Sequence, residues 1–246
     1  FSAIWYAVLV LPLFLFTPDV PRRLGVERAV RAGLSDLRHT LTMLPRHGNA
    51  LRYLVANMVY TDGLVALITF GGIYAAGTFH WGSIELGLFG ILLLVAGTVG
   101  ALAGGWLDDR MGPKWVIGVS LGLLILGIVG FLSIDADHVG FVFEARPPAA
   151  GGGLFASAGE RLYLALGGVI GLAAGPLQAA SRTLMVRVSP RERMTQFFGL
   201  YALTGKATSF VGPLAVGLLT MVSGSQRIGI SILVAFFIVG AWIMRG

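Results

Sequence analysis

Cysteine is absent from the sequence, and histidine is scarce. Without cysteine there is no disulfide framework, no thiolate-bound zinc cluster and no cysteine nucleophile. The four histidines have neither metal-ligand spacing nor carboxylate neighbours in the sequence; they are His39, His47, His80 and His138. We therefore expect this chain to hold no metal and no other cofactor.

Charge is sparse as well. Only 12% of the 246 residues are Asp, Glu, Lys or Arg, whereas 56% are hydrophobic. A soluble domain carries roughly 25% charged residues and 45–50% apolar ones. A chain this apolar cannot hide its hydrophobic surface inside itself. The composition therefore argues against a soluble enzyme and predicts a protein whose partner is the lipid bilayer.

Seven apolar runs follow one another along the chain, and a membrane-spanning helix needs about 20 mostly apolar residues. The runs occupy residues 1–16, 53–79, 84–107, 115–134, 162–180, 197–222 and 228–244. The first run begins at Phe1 rather than at Met, so we expect the chain to start partway through a longer protein. The predicted fold class is all-α, a polytopic membrane helix bundle.

The positive charges are distributed unevenly between the two sides of the predicted bundle. Fourteen of the 18 Lys and Arg lie in residues 17–52, 108–114 and 181–196 and at Arg245, and three lie in the opposite connections. Such a bias marks the cytoplasmic side of a membrane protein. The formal net charge of +6 is therefore explained by topology, and we expect no nucleic-acid partner.

Three parts of the chain are predicted. Residues 1–16 form the end of a preceding transmembrane helix, residues 17–52 form a central cytoplasmic loop, and residues 53–246 form the six-helix bundle. The loop carries apolar residues at helical spacing, namely Val30, Leu34, Leu37, Leu41 and Leu44. This stripe predicts a basic amphipathic helix on the cytoplasmic membrane surface, with a coiled-coil partner as the weaker alternative.

Glycines have several predicted roles. The stretch Gly118-Val119-Ser120-Leu121-Gly122 matches a hydrolase nucleophile elbow, but that motif needs a strand-to-helix turn and this stretch lies within a span. We interpret its glycines, like Gly100 with Gly104 and Gly171 with Gly175, as small-residue faces for helix packing. Gly175-Pro176 and Gly212-Pro213 are predicted kink sites. No catalytic constellation remains, so we do not expect an enzyme.

The short connection between the third and fourth runs reads Gly105-Trp106-Leu107-Asp108-Asp109-Arg110-Met111-Gly112-Pro113-Lys114. Gly112-Pro113 provides turn chemistry. This segment resembles the cytoplasmic signature loop of the major facilitator superfamily. The matching residues are Gly105, Leu107, Asp109, Arg110, Gly112 and Lys114, whereas Asp108 replaces a small residue and Pro113 replaces a basic one. The resemblance implies a loop that latches the cytoplasmic side during alternating access.

A second block begins after the fifth span. It reads Gly175-Pro176-Leu177-Gln178-Ala179-Ala180-Ser181-Arg182 and continues with Ser189-Pro190-Arg191-Glu192-Arg193 and Phe197-Phe198-Gly199-Leu200-Tyr201. Ser189 and Glu192 predict a capping box. Arg182, Arg191 and Arg193 are expected at the cytoplasmic mouth. With Tyr60-Thr61-Asp62-Gly63, the block resembles the autophagy-related vacuolar effluxer family and its bacterial relatives, over the carboxyl-terminal half of such a transporter.

Two charges lie inside predicted spans. Asp62 and Lys206 are each about nine residues from the cytoplasmic end of their run, which corresponds to a depth of ~13–14 Å. An unpaired charge at a helix centre costs about 2.5–3.5 kcal/mol on insertion scales. We expect them to face each other or a wet cavity, as a substrate or proton-coupling site or as a structural ion pair. The polar candidates around them are Asn57, Tyr60, Gln178 and Tyr201; for Asn57 and Gln178 the alternative is a role as interhelical hydrogen-bond partners.

The predicted function is secondary active transport. The chain would move a small-molecule substrate by alternating access, and the resemblance to the effluxer family implies amino-acid efflux. The partner would be the amino-terminal half of the same transporter. We expect an integral multipass protein of the bacterial plasma (inner) membrane. The alternative is a non-transporting membrane receptor or scaffold that retains the fold.

Overall fold

The computed structural model describes residues 2–17, 25, 27, 31, 33, 35, 38, 42–134, 138–139, 143–144 and 153–245. Its α-helices are α1 (Ser2–Phe16), α2 (Gly48–Phe79), α3 (Ser83–Met111), α4 (Pro113–Leu132), α5 (Ala158–Val188), α6 (Met194–Ala207), α7 (Val211–Ser223) and α8 (Gln226–Arg245). Short 3₁₀ turns occupy Leu44–Arg46 and Arg191–Arg193, and the two-residue strands β1 (His138–Val139) and β2 (Phe143–Glu144) pair antiparallel.

The chain divides into two compact units, Phe1–Leu41 and Thr42–Gly246. The first unit contains α1, with Pro12 inside the helix. Val30, Leu34, Leu37 and Leu41 of the predicted amphipathic stripe lie outside the described residues. The second unit contains α2 to α8 and all of the site described below.

The all-α membrane fold class is confirmed. Within the described residues, six helical segments are long and apolar enough to cross a membrane: Gly48–Phe79, Ser83–Met111, Pro113–Leu132, Ala158–Val188, Arg191–Ser223 and Gln226–Arg245. Each begins before the corresponding predicted run, because polar and capping residues at its start continue the helix beyond the apolar stretch. Apolar runs alone therefore locate the six spans correctly, but they place the first residue of each helix too far along the chain.

The capping box lies one helix earlier than predicted. Ser157 Oγ accepts a hydrogen bond from the Glu160 N–H at 3.1 Å, and Glu160 Oε2 accepts one from the Ser157 N–H at 2.9 Å. These bonds start α5. The predicted box at Ser189 and Glu192 is wrong: Ser189 instead ends α5, where its hydroxyl donates to the Met185 carbonyl at 2.7 Å.

Helices α3 and α5 pack backbone to backbone through their glycines. A Cβ on Gly100 would overlap the backbone of Leu172, and one on Gly175 would overlap the Gly97 carbonyl. Packing through Gly100 and Gly175 is therefore as predicted, since only a missing side chain allows such an approach. The prediction is wrong for Gly118 and Gly122 on α4, where a Cβ would meet nothing within 4 Å.

The fifth of these six spans, Arg191–Ser223, is interrupted between α6 and α7. Val211 donates its N–H to the Thr208 carbonyl at 2.7 Å, and Ser209 donates its N–H to the Lys206 carbonyl at 3.4 Å, so the α-helical pattern is lost here. Pro213, in the first turn of α7, has no N–H to continue the pattern. By contrast, α5 continues through Pro176. Of the two predicted kink sites, the helix breaks only beside Gly212-Pro213.

Candidate functional site

A polar cavity of about 170 Å³ lies between α2, α5 and α6. Its lining combines amide, hydroxyl and guanidinium groups with an apolar wall. The lining residues are Asn57, Tyr60, Thr61, Leu64, Val65, Ile68, Leu177, Gln178, Ser181, Arg182 and Tyr201. The four polar residues predicted to surround the intramembrane charges, Asn57, Tyr60, Gln178 and Tyr201, are thus all found at one cavity.

A hydrogen-bond chain anchors α2 to α5 along one wall of the cavity. The Ser181 hydroxyl donates to the Leu177 carbonyl at 2.6 Å, which leaves its oxygen to accept from the Tyr60 hydroxyl at 2.7 Å. The Tyr53 hydroxyl donates to the Ser181 carbonyl. Tyr60 and Ser181 are 1% exposed. These tyrosines therefore bond to the protein, and the free hydrogen-bonding capacity of the wall lies elsewhere.

The open polar groups come from α5 and α6. Tyr201 stacks on Tyr53 with ring centroids 6.5 Å apart, which fixes its ring against α2. The Arg182 guanidinium interacts electrostatically with the Tyr201 hydroxyl. Arg182 itself is exposed at the cavity edge. A guanidinium held this way presents several N–H donors to a bound anion or carboxylate.

Asp62 lies next to the cavity lining and is buried, with 2% of its surface exposed. Its Oδ1 accepts a hydrogen bond from the Thr208 hydroxyl at 3.2 Å, across the break between α6 and α7. Gly212, in the first turn of α7, packs so closely on the Asp62 carbonyl that a Cβ there would overlap it. The Asp62 carboxylate is therefore held at the break by the Thr208 hydroxyl, and the Asp62 backbone packs against α7.

Lys206 does not pair with Asp62. Lys206 lies exposed in the last turn of α6, and no ion pair of 4.0 Å or less joins it to another described residue. Cations are favoured at helix carboxyl ends. Lys206 therefore lies where a cation is favoured, at the end of α6, and Asp62 has a different partner in Thr208.

Three residues of the site were not predicted from the sequence. Tyr53 and Ser181 join α2 to α5, and Thr208 bonds to the buried carboxylate. Helical spacing gives a signal for Tyr53, which is seven residues before Tyr60 and therefore on the same face. Nothing in the sequence distinguishes Ser181 or Thr208 from the other hydroxyl residues of the spans.

The signature-like loop between α3 and α4 is a tight reversal. Gly112 ends α3 and starts α4 with a φ of 85°, a conformation that favours glycine, and its N–H donates to the Asp108 carbonyl at 2.9 Å. Arg110 stacks on Trp106 with its guanidinium carbon 3.6 Å from the ring centroid. Gly105, Asp109 and Lys114 are exposed, and Leu107 is half-buried.

The buried acid of this loop is Asp108 rather than the motif residue Asp109. Asp108 is 7% exposed, and its Oδ1 lies 3.9 Å from Arg187 Nη2 at the end of α5. The same oxygen has no hydrogen-bond partner among the described residues. The Asp108–Arg187 pair therefore joins α3 to α5 by charge attraction. The motif match points to Asp109. Spacing alone does not show which of the two adjacent acids, Asp108 or Asp109, faces the interior of the bundle.

The remaining candidates lie at the start of α6. Arg191 and Arg193 belong to the 3₁₀ turn that precedes this helix, and Arg193 Nη1 lies 2.8 Å from Met43 Sδ. Among the described residues, no group of three or more His, Asp or Glu side chains is placed to hold a metal ion.

This geometry defines a multipass membrane protein with a polar cavity between its spans. The sequence matches the family described as "Vacuole effluxer Atg22 like" over residues 1–245, and the chain belongs to that family. It is 27% identical to Autophagy-related protein 22 of Cryptococcus neoformans var. neoformans serotype D (strain B-3501A), over 97% of this chain and 43% of that protein.

Two further relatives extend the comparison. Autophagy-related protein 22 of Kluyveromyces lactis is 22% identical over 100% of this chain and 50% of that protein. The uncharacterized MFS-type transporter YxiO of Bacillus subtilis is 18% identical over 99% of this chain and 51% of that protein. The chain therefore spans about half the length of the curated relatives it matches.

Proposed function

We propose that this chain forms the carboxyl-terminal half of a secondary active transporter that moves a small solute by alternating access. The observation that carries the proposal is the polar cavity between α2, α5 and α6. Polar and charged groups inside a membrane bundle are costly and mark substrate or ion pathways. Transporter substrate sites lie near the bilayer midplane beside discontinuous helices, as this cavity lies beside the break after α6.

The proposed substrates are amino acids. The matched family is named for an effluxer, which supports outward movement of a solute from a compartment. Arg182 would bind the substrate carboxylate through paired N–H donors. Asn57 and Gln178 line the same cavity and offer both donors and acceptors to the polar groups of the solute. The apolar wall of Leu64, Ile68 and Leu177 would contact the substrate side chain.

Asp62 is the proposed coupling residue. As a carboxylate it accepts from Thr208 and lies beside the first turn of α7. Protonation would remove the negative charge of Asp62, to which the Thr208 hydroxyl donates, and would loosen α7 from α2. A proton taken up on one side of the membrane and released on the other would thereby bias the rocking of the two halves. Lys206 would remain outside this coupling and interact with the solute or the partner half.

The remaining proposals concern the partner of this chain, its location and its cytoplasmic loop. The partner would be the amino-terminal half of the transporter, and the location would be the plasma (inner) membrane of a bacterium. The latch loop from Gly105 to Lys114 would close the cytoplasmic side. The chain would bind no nucleic acid and would catalyse no covalent reaction.

Flux measurement tests this function directly. The complete transporter, with both halves, is reconstituted in liposomes and assayed with labelled amino acids at a series of concentrations. We expect saturable flux that Arg182→Gln lowers about tenfold or more, because hydrogen bonds to a charged group contribute about 1.5–3 kcal/mol and Arg182 would donate them to the substrate carboxylate. Arg161→Gln, an exposed arginine outside the cavity lining, is the matched control and should retain flux.

The alternative function has a distinct outcome. A receptor or scaffold that retains the fold would bind a ligand without moving it. Saturable amino-acid binding with no flux in the complete protein would support that alternative and overturn the transporter. Flux of the 246-residue chain alone would instead contradict the need for a partner half.

A further inference from the structure

A second surface, between α4 and α8, has no role in the proposed transport. A groove of about 600 Å³ runs between the start of α4 and the end of α8. Its walls are mostly apolar, and its lining residues are Lys114, Trp115, Gly118, Val119, Ile125, Ile238, Ala241, Trp242, Met244 and Arg245. From Lys114 to Ile125 the groove follows about 16 Å of α4.

Three cations surround one end of this groove. Arg245 and Lys114 belong to its lining, and Arg52 at the start of α2 shares adjoining hollows with each of them. All three side chains are exposed, and none forms an ion pair with another described residue. No Asp or Glu lines the groove or the two hollows. The charge at this end is therefore positive and uncompensated within the described chain.

The floor of the groove is made by glycine. Gly118 belongs to the lining, and a Cβ built there meets nothing within 4 Å; the same holds for Gly122, one turn further along α4. Glycine within a helix is unfavourable relative to alanine, so an open glycine that packs against no other described helix does not stabilise the fold. Its absent side chain instead leaves room for an occupant.

Two tryptophans flank the charged end. Trp242 is 74% exposed and Trp115 is 43% exposed. Tryptophan side chains concentrate at the level of lipid headgroups. Their positions beside Lys114 and Arg245 place the cations at headgroup depth, with the glycine floor deeper in the hydrocarbon.

We propose that this groove binds an anionic phospholipid. The phosphate-bearing headgroup contacts Arg52, Lys114 and Arg245, and one acyl chain lies along α4 over Gly118. Basic pockets between transmembrane helices are suited to such headgroups, because the anion meets several fixed cations at once. The proposal does not depend on the transported solute, since the groove and the cavity have no lining residue in common.

The test compares two lipids that differ only in headgroup charge. Spin-labelled phosphatidylglycerol and phosphatidylcholine with identical acyl chains are titrated into the purified protein, and the motionally restricted fraction gives relative association. We expect several-fold preference for phosphatidylglycerol. Arg52→Gln and Arg245→Gln should each lower its association about fivefold, the contribution expected of one basic residue at this depth. Equal association of the two lipids would overturn the proposal.

Two control pairs separate a built site from general attraction. Arg191→Gln removes a cation at the same end of the bundle but outside the groove, and should leave the preference unchanged. Gly118→Leu fills the floor and should also lower association of phosphatidylglycerol. Gly90→Leu, its control, adds the same side chain to an open position on α3 outside the groove and should leave association unchanged. If Arg191→Gln acts as strongly as Arg245→Gln, or Gly118→Leu has no effect, adsorption is diffuse and the groove is not a site. Monodisperse elution of each variant verifies folding.

Discussion

The Tyr60–Ser181 pair shows how one hydroxyl determines the shape of the cavity wall. Because Ser181 donates to its own helix, its oxygen accepts only from across the interface, and Tyr60 is the donor. Both groups are buried, so neither can exchange this bond for one with water. The bond therefore fixes the rotation of α2 against α5 and, with it, which α2 side chains face the cavity.

We predict that Tyr60→Phe lowers the free energy of unfolding by about 0.5–1.5 kcal/mol, the usual net value of one hydrogen bond. Ser181→Ala should cost a similar amount, and the double variant little more than either alone, since both remove the same bond. Denaturant titration in detergent measures all three. Additive losses would show that the two hydroxyls act independently.

A second prediction concerns Asp62. Asp62→Asn keeps an oxygen that accepts from Thr208 but removes the charge, so transport should become insensitive to pH while the fold is retained. Flux across a pH series measures this. Glu85→Gln, another carboxyl-to-amide change within the bundle, should leave the pH profile as it is. An unchanged profile in Asp62→Asn would remove Asp62 from the coupling role.

At the residue scale, the sequence predicts how deep a side chain lies in the membrane. It does not predict the direction in which that side chain points from its helix. Counting residues from the ends of the spans places Asn57, Tyr60, Gln178 and Tyr201 in the cytoplasmic halves of their spans, and the structure brings them to one cavity. Adjacent residues on a helix differ by about 100° in direction. The same counting therefore cannot tell Asp108 from Asp109, and it cannot show that Asp62 and Lys206 point to different partners.

At the scale of helices, packing between α3 and α5 depends on the absence of side chains. Gly175 lies against the Gly97 carbonyl with no room for a methyl group. We predict that Gly175→Ala destabilises the bundle by about 1–3 kcal/mol or more, the usual cost of overpacking. Gly90→Ala on α3 is the matched control in open space and should stabilise slightly, because alanine favours helix. Thermal unfolding of both variants measures the difference.

The same two helices are joined by charge at their other end. Because Asp108 is buried and Arg187 is exposed, Arg187→Gln should leave an uncompensated buried carboxylate and destabilise the protein by ~1 kcal/mol. Asp108→Asn removes that carboxylate and should cost less. The order of the two unfolding midpoints checks this prediction. If Asp109→Asn disturbs the fold more than Asp108→Asn does, the motif residue, and not its neighbour, makes the structural contact.

Helix boundaries were predictable only in part. Apolar runs locate all six spans, because burial in lipid requires them. The capping residues are less predictable: Ser157 and Ser189 are both serines followed three residues later by glutamate, and only Ser157 starts a helix. The difference lies in tertiary position, since Ser189 completes the last turn of α5 before the chain reaches Glu192.

At the scale of the whole molecule, the uneven distribution of Lys and Arg predicts one orientation. These 246 residues contain no cysteine, so a single thiol introduced among them reports on one position of this part of the protein. Cysteine at Arg191 should react with an impermeant maleimide only from the cytoplasmic side, and cysteine at Leu154 only from the opposite side. Labelling of intact and of permeabilised cells distinguishes the two. The reverse pattern would place the latch loop outside and contradict the proposed topology.

The break between α6 and α7 also has a consequence for biogenesis. At 14 and 13 residues, the two helices are each about 20 Å long, too short to cross ~30 Å of hydrocarbon. Neither can therefore be released into lipid as an independent segment during synthesis. The insertion machinery must retain both until the later segment emerges, so α6 and α7 enter the membrane together in one delayed step.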